Sequence, residues 1–249
     1  MKISALCVII MAIFLFPSND SEVKAQANTI TAGFQYKPVF ATKLLITDPP
    51  LQTINNVDFS LNQRSGHCFG MVVRRGFSKT LSFETGINFT KRKYRLTIHD
   101  SSFTDVSYFS TVSYEIPALL LVYIRLGKVY MNASMGAVLD MFISDLGSSD
   151  TSFSQSTLRR NLFKPGLLAN IGYEYRTVNS GYFYFGVSYH RPFGSIYSTT
   201  VTYHTTEMQT TLSGSYLTID LRYFFHEDPI KKKTRKDRKK KVKSSLEME

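Results

Sequence analysis

Among its 249 residues the chain has no Trp, only two Cys and eight Pro, and its 19 acids are outnumbered by 30 bases. Two cysteines cannot build a disulfide scaffold, and 14 Gly without a repeat exclude a collagen-like chain. With 43% hydrophobic and 20% charged residues, wholesale disorder is excluded as well. A mean hydropathy of -0.12 leaves no room for a bundle of membrane helices. Glycine-rich phosphate loops are missing. His67, His99, His190, His204 and His226 show no ligand spacing, and Cys68 has no Cys partner nearby, so no metal site is expected. Catalytic residues and cofactors are likewise not expected. What the chain does have in quantity is aromatic residues, 15 Tyr and 19 Phe.

The two ends differ from the middle. Lys2, the apolar run Ala5 to Phe16 and the small-x-small triplet Ala25-Gln26-Ala27 predict a cleaved export signal over residues 1–27. The run is shorter than the roughly 18–20 apolar residues a spanning helix needs. Cys7 is no lipidation site, because Leu6 rather than a small residue precedes it. Cleavage would leave Cys68 as the one mature cysteine, a small buried filler by default. Something other than a disulfide must then hold an exported fold together.

From His226 onward the chain turns basic. Lys231, Lys232, Lys233, Arg235, Lys236, Arg238, Lys239, Lys240, Lys241 and Lys243 are relieved only by Asp237. Such a block repels itself and has nothing to bury, so residues 226–249 are expected to form a disordered tail. A basic arm suits nucleic acid, but an exported protein rarely meets any, and no nucleic acid is expected as a partner. An anionic cell-wall polymer, lipid phosphate or an acidic periplasmic protein are the candidates, beside a solvated tail with no partner at all.

Between the ends, alternation with a period of two dominates and helical spacing is absent. Leu81, Phe83, Thr85, Ile87 and Phe89 share one face, with Ser82, Glu84, Gly86 and Asn88 on the other. The same device recurs in Val129 to Leu139, Leu167 to Tyr175 and Leu217 to Phe225. Eight strands follow: 29–39, 66–75, 79–91, 108–125, 129–144, 164–177, 181–193 and 214–225. The gaps are 26, 3, 16, 3, 19, 3 and 20 residues, long and short in strict alternation. Short gaps carry turn chemistry, Gly76 with Ser78, Gly127 with Lys128, and Asn179 with Ser180 and Gly181. Long gaps are rich in Ser, Thr, Asp and Asn, as from Ser144 to Ser156.

Transmembrane barrels have an even number of antiparallel strands with short turns at one end and long loops at the other. A strand crosses the hydrocarbon in roughly 9–11 tilted residues, and these runs are long enough. In lipid every backbone group must be paired within the protein, so the sheet has to close. The expected fold is an all-β, eight-stranded antiparallel up-and-down transmembrane barrel over residues 28–225, with short periplasmic turns and long outer loops. Its expected location is the outer membrane, after export, with outer-membrane lipid around it.

A soluble, ligand-binding barrel would carry the opposite polarity. Here the polar faces hold Glu84, Glu115, Asp140, Glu174 and Asp220 with Lys37, Arg74, Arg125, Arg176 and Arg222, while the apolar faces are nearly free of charge. Five acids and five bases can pair inside a narrow lumen; an unpaired Arg or Lys facing lipid would cost roughly 2–4 kcal/mol at the midplane. Tyr and Phe would supply the interface girdles. Eight strands enclose a space that side chains just fill, so a plugged lumen is expected, its charges structural rather than an ion or proton path.

Tyr114-Glu115-Ile116-Pro117-Ala118-Leu119-Leu120-Leu121, with Glu84 to Asn88, Gly136 and the terminal run Gly214 to Phe225, resembles the outer-membrane barrel family that includes PorT-like proteins. The resemblance implies an eight-stranded barrel, a last strand read by the barrel-assembly machinery, and a link to a secretion system that exports proteins across the outer membrane. Pro117 cannot donate to a ladder and is expected to mark a bulge or bend. Small barrels that act on lipid A use Ser and His near the outer rim, and Ser188 and His190 share a face here, but no third partner follows from the sequence. Two roles remain: a rigid scaffold displaying outer loops, in which Leu44, Leu45, Ile46, Pro49, Pro50 and Leu51 are either contacts or loop packing, and an accessory component of a secretion assembly.

Overall fold

The computed structural model describes residues 30–42, 51–78, 80–101, 103–126, 129–149, 153–177 and 180–225. The expected export signal, the basic tail and residues 44–46, 49 and 50 of the first long loop lie outside them. The described residues form fourteen strands: β1 Ile30–Ala41, β2 Leu51–Ile54, β3 Val57–Gln63, β4 Gly66–Gly76, β5 Leu81–Asp100, β6 Phe103–Leu126, β7 Val129–Phe142, β8 Leu146–Ser149, β9 Phe153–Arg159, β10 Phe163–Arg176, β11 Tyr182–Pro192, β12 Tyr197–Tyr203, β13 Thr206–Leu212 and β14 Tyr216–Phe224.

Eight of them form the wall. The antiparallel pairings run β1–β4–β5–β6–β7–β10–β11–β14 and return to β1, where Gly33 lies opposite Phe224 and Ala41 opposite Tyr216. The sheet therefore closes on itself around the ring, while the outer half of β6, beyond Ser113, pairs with β5 alone. The eight spans expected from alternation coincide with these strands to within a few residues, except that β5 and β6 extend nine and five residues further into what was expected to be a loop.

Along the wall the outward face is apolar. Phe34, Tyr36, Met71, Ile87, Ile116, Leu120, Met135, Ile171, Phe185 and Leu221 are all exposed, and the residues between them are buried. Pro117 makes no bulge: it stays opposite Val138, and β5 and β6 keep one register from Leu81↔Val122 to Asp100↔Phe103. The β5–β6 pairing is interrupted at Ile116 and Pro117, between Thr85↔Ala118 and Asn88↔Glu115, and resumes in the same register, so the missing N–H leaves a gap in the ladder rather than an extra residue.

Within the described residues the long connections carry strands of their own. β2 and β3 make a hairpin that adds to the outer half of β5, taking over as its neighbour where β4 stops; β4 pairs with β5 up to Lys91, and β3 from Tyr94 to His99. β13, β12, β9 and β8 form a second sheet. The two sheets enclose an apolar core of Val57, Phe59, Leu96, Ile98, Phe153, Val201, Tyr203 and Met208. A second cluster, Tyr94, Phe142, Ile196, Tyr197 and Leu212, seats it on the wall. Phe142 meets Tyr197 edge to face at 5.4 Å. The Tyr197 hydroxyl donates to the Ser144 carbonyl at 3.1 Å, and burial pushes its phenol up to about 12.

On β5 the polarity of the two faces exchanges. Ser82, Glu84, Asn88, Thr90 and Arg92 point inward below, and Tyr94, Leu96 and Ile98 point inward above. Outward positions change in step, from Leu81, Phe83, Ile87 and Phe89 to Lys91, Lys93 and Arg95. One uninterrupted strand thus belongs to two environments.

Candidate functional site: the charged lumen

Inward positions recur at every second residue of each wall strand, so polar residues spaced by two stack up the inside of the barrel. Seven of them make a continuous chain of alternating sign. Arg176 Nε donates to Glu174 Oε1 at 2.6 Å, and Glu174 Oε2 accepts from Arg74 Nη1 at 2.5 Å. Arg74 Nε and Nη2 also donate to Glu84 Oε2, at 3.2 and 2.9 Å. Glu84 Oε1 accepts from Arg222 Nη1 at 2.5 Å, Arg222 Nη2 reaches Asp220 Oδ2 at 2.5 Å, and Lys37 Nζ closes the chain at 3.4 Å from the same oxygen.

Polar neighbours complete it. Asp220 accepts from Ser188 and Thr218 at 2.6 Å and from Asn170 at 2.9 Å, and the Tyr184 hydroxyl donates to Asn170 at 2.6 Å. Gln35 donates to Asn88. Gly172 and Gly186 face each other on β10 and β11, and a Cβ on either would strike the Tyr184 hydroxyl. At the turn end the Arg176 guanidinium lies 4.0 Å over Tyr130, 5.2 Å over Tyr182 and 5.5 Å over Tyr123.

A second cluster sits nearer the outer sheets. Arg92 Nη2 is 3.3 Å from Glu115 Oε1, which also accepts from the Tyr216 hydroxyl at 2.6 Å. His190 Nε2 is 3.1 Å from Asp140 Oδ1, and its ring stacks on Tyr216 at 4.5 Å. Cys68 is buried against Val39 and Tyr216. Glu115, Asp140 and His190 bring potential ligand atoms within 4.8 Å of one another, a grouping that sequence spacing hid. The Arg92 guanidinium already balances one of these carboxylates.

Of the ten charged residues expected in the lumen, nine are brought together there. Arg125 is the exception: it has inward parity, but it lies exposed at the end of β6, beyond the floor of the barrel. Arg92, missed because the third strand was ended one residue short, takes its place, and the balance of five acids and five bases is kept. Ser188 and His190 do share the inward face, but Ser188 donates to Asp220 and His190 pairs with Asp140. No hydroxyl–imidazole–carboxylate relay forms.

The chemistry available is limited by the guanidinium links. Arg is never deprotonated in proteins, so Arg74 and Arg222 interrupt any proton hopping along the chain. Arg74, Glu174, Asp220, Arg92 and His190 have side chains sealed from solvent.

No family model and no curated protein matches the chain. Among solved structures it is similar to the outer membrane protein OprG from Pseudomonas aeruginosa, with a TM-score of 0.55 at 12% identity over 83% of this chain and 100% of that one. It is also similar to the outer membrane protein AlkL in lipid bilayers, TM-score 0.46 at 15% identity over 85% and 96% of the two chains. The outer membrane protease OmpT from Escherichia coli aligns at TM-score 0.36 and 8% identity over 82% and 100%. The likeness to OprG joins the closed ring of strands: the chain has the fold of an outer-membrane β-barrel protein.

Proposed function

We propose that this chain is a non-enzymatic, non-conducting integral protein of the outer membrane that serves as a rigid scaffold for the sheets built on its outer end. The observation that carries this reading is the filled lumen. Arg74 on β4 reaches Glu174 on β10, and Tyr216 on β14 reaches Glu115 on β6. Each pair joins diametrically opposite strands of the ring, so two crossbars at different heights bar the interior. The apolar outward band supports a lipid environment, since membrane barrels are apolar outside and polar within. Export by the amino-terminal signal and insertion by the barrel-assembly machinery belong to the same proposal.

The test is electrophoresis of the outer-membrane fraction with and without boiling, followed by planar-bilayer recording. The expected result is a compact species that shifts on heating and yields no unitary current steps. A soluble periplasmic protein without a shift would overturn the membrane reading, and regular current steps would overturn the plug.

A role in a PorT-like secretion assembly is the second reading, favoured by the Glu115-Ile116-Pro117 strand, whose Glu115 is the hub of the upper lumen cluster. Gentle extraction separates the two roles: a stoichiometric partner supports assembly, and an isolated barrel supports the scaffold. Loss of that partner on deleting residues 231–243 would assign the basic tail its contact, whether an acidic protein or a cell-wall polymer.

A further inference from the structure

We infer that the outward face of the outer end of β5 binds the phosphate groups of anionic lipid in the outer leaflet. The inference rests on the membrane location proposed above. Lys91, Lys93 and Arg95 occupy successive outward positions of one strand, about 7 Å apart along the strand. Arg64 joins them from the neighbouring segment: its backbone N–H donates to the Lys93 carbonyl at 2.7 Å, and its guanidinium lies 5.9 Å over Tyr108. Lys93, Arg95 and Arg64 are exposed and Lys91 is half-buried.

These cations differ from those of the interior. Lys37, Arg74, Arg92, Arg176 and Arg222 each have a carboxylate within 4.0 Å, whereas none of the outward four forms an ion pair among the described residues. Their partners across the ladder are His67 and Val112 for Lys91, Ser110 for Lys93, and Tyr108 and Asn62 for Arg95. No carboxylate occupies those rungs. Among the described residues each buried cation has a carboxylate partner, and this group of four is left for something outside the chain.

Depth identifies the occupant. Immediately below, Phe69, Phe89 and Tyr114 form an aromatic row, with ring centroids 5.0 and 5.7 Å apart. Aromatic belts lie at headgroup level, and the first cation is only two residues beyond Phe89. A soluble partner would have to lie flush against the bilayer to reach it, whereas lipid phosphates are already at that height. Clustered basic residues beside a membrane segment attract anionic headgroups.

The experiment uses the full chain in nonionic detergent and two probes, diphosphoryl lipid A and the same glycolipid stripped of phosphate. The wild type is expected to bind the phosphorylated probe roughly tenfold or more tightly, with a preference that falls as salt rises. The double variant K93Q/R95Q, both positions exposed, is expected to lose most of that preference while keeping the heat-dependent gel shift. The quadruple variant with R64Q and K91Q added loses the rest. Replacing the ten basic residues between 231 and 243 by Gln leaves it intact. Equal binding of both probes by the wild type, an unchanged preference in K93Q/R95Q, loss of it with the tail alone, or displacement by inorganic phosphate at equal phosphate concentration would each overturn the inference. Fractionation of the wild type decides the membrane location separately, so the two failures are distinguishable.

Discussion

Arg74 and Glu174 touch across the full width of the barrel, Nη1 to Oε2 at 2.5 Å, although their strands lie on opposite sides of the ring. The wall alone would tolerate many interiors, but this pair fixes the distance between opposite strands. Removing one partner of a buried pair strands the other charge, at a cost of roughly 3–5 kcal/mol. Arg74→Ala takes one guanidinium from both Glu84 and Glu174, but Arg222 and Arg176 still pair with them, so the loss is expected at the lower end of that range. Loss of the compact gel species at lower urea is the measure; an unchanged midpoint would remove Arg74 from the structural account.

Arg92 and Arg125 offer a paired comparison. Both have inward parity, but Arg92 is sealed against Glu115 and Arg125 is exposed at the rim. Arg92→Gln is expected to cost about 3 kcal/mol, and Arg125→Gln about 0.5 kcal/mol or less. Urea midpoints of the two variants measured side by side would show the difference, and equal midpoints would contradict the placement of the floor between them.

The exchange of polarity on β5 predicts opposite sensitivities on one strand. Ile87→Arg places a charge on the apolar band, an expected loss of roughly 2–4 kcal/mol if the band meets lipid. Thr97→Arg, on the same outward face of the outer half, is expected to be nearly neutral. Leu96→Ala opens the outer core beside Phe59 and Val201 and is expected to cost about 2–5 kcal/mol. Assembly yield in the outer membrane and urea midpoints check the three together.

The facing glycines supply a steric test. Gly186→Ala must push aside the Tyr184 hydroxyl and crowd the Ile171 carbonyl, an overpacking cost of about 1–3 kcal/mol. Gly186→Ala combined with Tyr184→Phe is expected to recover part of the loss, because the hydroxyl is the first atom struck. A double variant no better than the single would show that the backbone contact dominates.

The wall strands other than β5 and β6 were legible because each has one mainly apolar and one mainly polar face along its length, so a single alternation marks both its limits and its orientation. The inward carboxylates could be listed for the same reason, and Glu84, Glu115, Asp140, Glu174 and Asp220 are all buried. The limits of β5 were not legible, since beyond Phe89 the apolar residues move to the other parity and the pattern reads as an ending. The six outer strands were hidden differently. Tyr197, Thr199, Val201 and Tyr203 alternate inward, but Ser and Thr on both faces made the segment look like a loop. Which charge meets which was beyond the sequence altogether, because pairs such as Arg74 and Glu174 are set by the circumference of the ring and not by neighbours along the chain.

The pairing of β1 with β14 has a temporal consequence. The first wall strand to be made finds its second neighbour only when the last arrives, so closing the wall requires a contact spanning nearly the whole described chain. Non-local closure of this kind slows folding, and until it occurs the outer edges of β1 and β14 stay unpaired and open to mispairing. Any factor that escorts this chain must therefore hold its first strand in waiting until the final one is delivered.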